Sequence, residues 1–238
     1  MKLERNSGIL LHPTSLPDSP VCGSFGKPAR EWLNELAAFG IGVWQFLPLA
    51  PTDSFGSPYS SPSSFALNPW FLDQNDLVRD GFLANNLEDF SSANDCFKNR
   101  VDFHLANSKV KSLRFSLVDD WYKQNRTIQE EFEIWCSKQF WLDDHSIFME
   151  LKIQNNDLPW WEWPEEYAGR DKKELENWKK NNQKELLGHK LLQWHLDRQW
   201  QSIRELAKNL GIYLFGDVPF YVSKDSADVW GNRSLFSI

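Results

Sequence analysis

Asp217 closes an apolar run, residues 211–220 reading GIYLFGDVPF, in which Ile212, Tyr213, Leu214 and Phe215 have strand character between a glycine start and a Gly-Asp break. A carboxylate where such a strand runs out can accept hydrogen bonds from a polar ligand, and α/β barrels keep their chemistry at that end of their strands. The same residue type also serves as a helix cap or turn former. Val218, Pro219 and Phe220 continue the apolar character, so the acid is expected in semi-buried surroundings, where it is costly unless it has polar work to do. Tyr59 follows Gly56, Ser57 and Pro58, a rigid setting of small residues that either presents the ring to a ligand or packs it under its own loop. His12 ends an earlier apolar run just before Pro13, at the same expected rim, although a lone histidine is more often structural. Asp225 and Asp228 do not combine with Asp217 into a convincing metal-ligand spacing.

These residues need elements to position them. Residues 8–12 read as a strand stopped by Pro13, residues 29–39 as a helix with Trp32, Leu33, Leu36 and Phe39 on one face, and residues 41–49 as a second strand stopped by prolines. Strand, helix and strand in this order make a βαβ unit with parallel strands. Residues 52–68 have neither period and form a loop, whose Phe55, Tyr59 and Phe65 argue against disorder. Helices are expected near 76–81 and 107–123, and a helix pair over 127–151, before the Trp-rich turn 158–167. A single long amphipathic helix over 173–209 then leads into a third strand starting at Gly211. The class is α/β, and three parallel strands are not by themselves a barrel. If the architecture is a (β/α)8 TIM barrel, it is incomplete here and shows its first three strands, since a closed barrel takes eight strands and typically about 250 residues. The division would then be 1–69 as the start of the barrel, 70–183 as an inserted, mainly helical subdomain between strands 2 and 3, and 184–238 as a barrel helix and third strand.

Composition removes several classes. The 238 residues carry 26 basic and 33 acidic side chains, a net charge of -7, which offers no footprint for a nucleic-acid backbone. No apolar run approaches a membrane span, and the opening residues break at Pro13 before a signal core could form, so a cytoplasmic, soluble protein is expected. Cys22, Cys96 and Cys136 have no pairing or zinc spacing and read as reduced thiols. Phosphate-loop, dinucleotide, serine-hydrolase and zinc-protease motifs are missing. The 13 tryptophans suit sugar rings, although most should pack cores. An acidic, aromatic-rich, cofactor-free cleft at a barrel rim fits a sugar.

Five separated blocks, in order, carry a family resemblance. They are SGILLHPTS at 7–15, WQFLP at 44–48, the loop with SPY at 57–59, SFA at 64–66 and NP at 68–69, WLDD at 141–144, and GDVP at 216–219 with DSADVW at 225–230. Together they closely resemble the amylomaltases, or 4-alpha-glucanotransferases. The resemblance implies a (β/α)8 barrel with inserted subdomains that acts on an α-1,4-glucan or maltooligosaccharide without a cofactor. It also implies a retaining mechanism in which an aspartate nucleophile and a glutamate acid/base transfer glucan to a sugar hydroxyl. By motif, Tyr59 resembles the tyrosine stacked on the reacting sugar and Asp217 the aspartate that hydrogen-bonds its hydroxyls. Ser57 with Gly56 resembles the acceptor-side loop. Phe103 stands where the family often has a tyrosine near an outlying glucan site. The family's nucleophile follows an Arg-x-Asp pattern on a later strand, which is not found here, so the nucleophile and the acid/base are both expected beyond Ile238. The chain is thus expected to be an N-terminal part, inactive alone. The alternatives are a glucan-binding remnant or an α-glucan hydrolase of similar barrel.

Overall fold

The βαβ unit is present as β1 (Gly8–Leu10), α1 (Lys27–Ala38) and β2 (Val43–Gln45), with Gly8 paired to Val43 and Leu10 to Gln45 in parallel register. The structure, a computed structural model, describes residues 5–17, 21–84 and 100–237. Pro28 sits in the first turn of α1, where its missing N–H is not needed, and Ala29, Leu33 and Leu36 at helical spacing form the buried stripe. Gly40 ends the helix with a φ of 70°, the left-handed conformation that glycine adopts without penalty. β3 (Tyr213–Phe215) pairs with the other side of β2, Gln45 opposite Phe215, so the sheet order is β1-β2-β3 with all strands parallel. β1 and β2 are shorter than their apolar runs, which Pro13 and Pro48 close by removing donors from the ladders, and β3 likewise spans only part of its run.

The helical part begins with α2 (Gln74–Arg79) and α3 (Phe103–Trp121), whose first turns are capped by Asp73 and Asp102. α4 (Arg126–Ser137) and α5 (Leu142–Gln154) are the expected helix pair. The Trp-rich turn holds a 3-10 turn at Trp160–Glu162 and the short α6 (Glu165–Ala168). Residues 173–209 are not one helix, as the apolar spacing suggests, but two: α7 (Lys172–Asn181) and α8 (Gln183–Asn209). Asn182 breaks them. Its side-chain amide donates to the Trp178 carbonyl at 2.7 Å and accepts from Gln154 at 2.8 Å, substituting for helical bonds. A further short helix, α9 (Ala227–Gly231), follows β3 and is capped by the Ser226 hydroxyl.

Two apolar cores result. The first joins the sheet, α1, α3 and α8 through Trp44, Phe25, Phe71, Leu113 and Leu196. Trp44 is fully buried, and its indole N–H donates to the Leu11 carbonyl at 2.7 Å, which fixes the loop after β1. The second core packs α5 and α7 against α9 through Phe148, Trp163, Trp178 and Trp230. Most tryptophans lie in these cores, and only Trp161 is exposed. Between α3, α5 and α8 lies a buried polar knot, in which the Glu150 carboxylate accepts from Arg114 at 2.6 Å and stands 3.1 Å from His189 Nε2. Among the described residues no helix is long and apolar enough to cross a membrane. Burial pushes the Cys22 thiol up to about 12, as befits an unreactive packing residue, while Cys96 lies outside the described residues.

Candidate functional site

The loop after β2 is built from the inside. Asp53 Oδ1 accepts the backbone N–H groups of Phe55 and Ser57, each at 2.9 Å, and the Asp53 N–H returns to the Ser57 carbonyl at 3.1 Å. Gly56 occupies the tight point of this turn with a φ of 83°. A Cβ there would overlap the Phe103 ring, which itself stacks on Trp70 at 5.2 Å. Ser57 caps the next turn, Pro58–Ser60, by accepting the Tyr59 N–H at 3.3 Å. The sequence motif thus aims one side chain, Tyr59, whose ring is half-exposed.

The Tyr59 hydroxyl donates to Asp217 Oδ2 at 2.7 Å, joining residues 158 positions apart in sequence. This bond to the carboxylate raises the Tyr59 phenol above its ordinary pKa. β3 brings Asp217 there: its ladder continues through the Phe46 N–H to the Phe215 carbonyl at 3.1 Å, and the chain then leaves the sheet at Gly216. A carboxylate has about four acceptor positions and Tyr59 occupies one, so Asp217 can still take hydroxyl donors. The pair therefore offers a flat apolar ring beside an anionic acceptor.

The setting of Asp217 departs from the semi-buried one its neighbours suggest. Asp217 is exposed, as are Val218 at 79%, Phe220 at 98% and Tyr221. Apolar residue types after a strand do not bury themselves when, among the described residues, no strand pairs with the outer side of β3.

Of the four candidate site residues, the structure brings Tyr59 and Asp217 together, while Ser57 and Gly56 shape the loop beneath the tyrosine. His12 lies edge-on to Phe71 at 5.6 Å with Nδ1 buried and without a hydrogen-bond partner among the described residues. Burial lowers it to about 4, so it is neutral at physiological pH. Asp225 accepts from Lys152 at 2.5 Å and anchors the Trp160 turn. Asp228 Oδ2 accepts the Ser64 N–H at 2.8 Å. The expectation that the chain holds no Arg-x-Asp needs a correction. The triplet Arg100-Val101-Asp102 spells it, but its aspartate caps α3 by accepting from Leu105 at 3.0 Å and lies on no strand, so it does not take the nucleophile's place. Ile238, beyond which the nucleophile and acid/base are expected, lies outside the described residues. Among the described residues, no group of His, Cys, Asp and Glu side chains is disposed to hold a metal ion.

Three supporting roles escaped the sequence reading, those of Asp53, of Asp228, which was weighed only as a metal ligand, and of Gln193. Asp53 was legible in principle as an aspartate opening a Gly-Pro loop. Asp228 and Gln193 were not, since their partners are far away in sequence. The buried Gln193 amide accepts the Leu67 N–H at 2.9 Å and donates to the Leu67 carbonyl at 2.8 Å, closing the loop's far end as a strand partner would.

A family model described as 4-alpha-glucanotransferase matches residues 11–238. The chain is 38% identical over 238 residues to a 4-alpha-glucanotransferase of Synechocystis sp., a match covering 99% of this chain and 46% of that protein. It is 36% identical to one of Thermus thermophilus, covering 100% of this chain and 47% of that protein. Among solved structures, an amylomaltase from Streptococcus agalactiae in complex with acarbose aligns with a TM-score of 0.90 at 28% identity, over 99% of this chain and 47% of that one. The chain thus spans about half the length of the curated relatives it matches. With these matches running nearly end to end, the chain belongs to the 4-alpha-glucanotransferase family.

Proposed function

We propose that this chain supplies the sugar-holding wall of a cytoplasmic 4-alpha-glucanotransferase that moves α-1,4-glucan segments between maltooligosaccharides with retention. The observation that carries the reading is the 2.7 Å bond between Tyr59 and Asp217, which sets an aromatic face and a carboxylate side by side at the end of β3. A ring face suits the apolar side of a glucose unit, and the carboxylate suits its hydroxyls. Ser57 and Gly56 serve by aiming Tyr59, and the acceptor-side loop is read from them.

The three parallel strands are read as the first of a (β/α)8 barrel. Residues 1–69 and 184–238 form the wall, and 70–183 form a helical subdomain inserted behind it. Retention requires a carboxylate nucleophile and a second carboxyl group about 5 to 5.5 Å away. On the family resemblance both catalytic carboxyls are expected beyond Ile238, and this is consistent with Asp217 bonding Tyr59 and with Asp102 of the Arg-x-Asp at 100–102 capping α3. A labelled-glucose exchange assay on maltotriose tests this. The 238-residue chain should show maltotriose binding that Tyr59→Ala abolishes, and no exchange; exchange at a measurable rate would overturn the assignment.

A further inference from the structure

Asp217 stands on an exposed segment. From Gly216 to Val222 the side chains are exposed or half-exposed, so β3 holds this stretch at one end only. Its other end is α9, and α9 is tied to the tyrosine loop. Asp228 Oδ2 accepts the Ser64 N–H at 2.8 Å, and the Ala227 N–H donates to the Pro62 carbonyl at 2.9 Å. α9 is itself immobilised: Ser226 and Trp230 are fully buried, and the Trp230 indole donates to the Tyr167 carbonyl at 3.0 Å. Two segments, residues 59–64 and 217–228, are therefore joined three times, by the side-chain bonds of Tyr59 with Asp217 and Ser64 with Asp228 and by the backbone bond of Ala227 with Pro62. The two side-chain bonds close a ring whose far end the backbone bond supports.

We propose that Asp228 is a positioning residue for the Tyr59–Asp217 pair, holding the tyrosine loop on the segment that carries the aspartate so that both groups present a preformed surface to the sugar. Asp228 touches no reacting group. It acts by fixing where Ser64, and hence the loop, lies relative to α9. One bond in a ring raises the effective concentration of the other, so the two bonds favour each other. Asp228 is half-buried, which lessens the competition from water at its bond to Ser64. The role of the pair as a sugar wall rests on the reading above, but the coupling between the two bonds is measurable without any sugar.

The test uses the 238-residue chain and two reciprocal readouts. The ultraviolet difference titration of the Tyr59 phenol, isolated by subtracting the Tyr59→Phe variant, reports the bond to Asp217. Amide exchange of Ser64 reports the bond to Asp228. In Asp228→Ala, Tyr59 should titrate as it does in Asp217→Asn, whereas Asp228→Asn, which keeps an acceptor oxygen, should restore most of the wild-type value. In Tyr59→Phe, a change at a half-exposed ring, Ser64 exchange should accelerate by at least about fivefold, because coupling is reciprocal. Unchanged Tyr59 titration in a folded Asp228→Ala protein would overturn the proposal. So would unchanged Ser64 exchange in Tyr59→Phe, which decides the matter alone if Asp228→Ala does not fold. Coupled bonds with no maltotriose binding would instead count against the sugar-wall reading and leave the positioning intact.

Discussion

Replacing Arg114 by methionine would strand the Glu150 carboxylate in the interior. Both side chains are almost fully buried, and the Arg114 Nη1 to Glu150 Oε2 distance is 2.6 Å. Burial by itself would raise the Glu150 carboxyl. The hydrogen bond from His189 and the charge of Arg114 outweigh it and hold Glu150 at about 2, below its ordinary value of 4.5. A carboxyl lowered that far corresponds to about 3 kcal/mol of stability at neutral pH. That stabilisation is shared between His189 and Arg114; breaking a buried pair from one side costs about 3 to 5 kcal/mol, so Arg114→Met should cost about 3 kcal/mol. The sign with pH follows from a lowered carboxyl: its contribution is complete above 4.5 and is lost as pH falls toward about 2. Urea unfolding followed by tryptophan fluorescence at several pH values is the assay. Wild type should lose stability across that window, and Arg114→Met should lose less there by the Glu150 share alone, since the losses from His145 and His195 are common to both proteins. Arg114→Met with Glu150→Leu should recover most of the loss, because no charge is left unpaired. A loss below about 1 kcal/mol in the single variant, or a double variant no better than the single one, would show that no buried charge is stranded at Glu150.

Other outcomes follow from the same structure. Gly188→Ala should destabilise the chain despite alanine's better helix propensity, since a Cβ there would stand 2.6 Å from the buried Arg114 stem; thermal unfolding of the variant measures this. His145 and His195 are held by burial at about 3, so they fold neutral, and their contribution, complete above 6.5, should be lost as pH falls from 6.5 toward 3, visible as progressive acid destabilisation in the same urea series. Gln193→Ala removes two bonds to Leu67 and should cost about 2 kcal/mol locally, read as roughly 30-fold faster exchange of the Leu67 amide. Val218, Phe220 and Tyr221 form an exposed apolar strip, so Phe220→Ser should reduce concentration-dependent association in sedimentation measurements.

The sequence shows β1, α1, β2 and β3 because their apolar periods are sharp and their ends are marked by Pro13, Gly40, Pro48 and Gly211. It also singles out Tyr59 and Asp217 as candidates, since a rigid turn and a strand end are local features, and the fold brings these two side chains together. What the sequence hides is pairing at a distance. Asn182 splits an otherwise continuous helical pattern because its amide finds Trp178 and Gln154, a competition no periodicity records. The exposure of Asp217 is likewise set by what lies beside β3, whereas residue types following the strand argue for burial. Asp228 looks like one of two acids in residues 225–228 until the fold brings Ser64 to it.

If Tyr59 and Asp217 together hold a glucose unit, maltotriose should act on both at once. Titrating the isotopically labelled chain with maltotriose while following backbone and tyrosine NMR signals should give saturable shifts centred on residues 57–59 and 216–218, abolished in both Tyr59→Ala and Asp217→Asn. Saturable shifts that lie elsewhere, or that persist in either variant, would contradict that joint role.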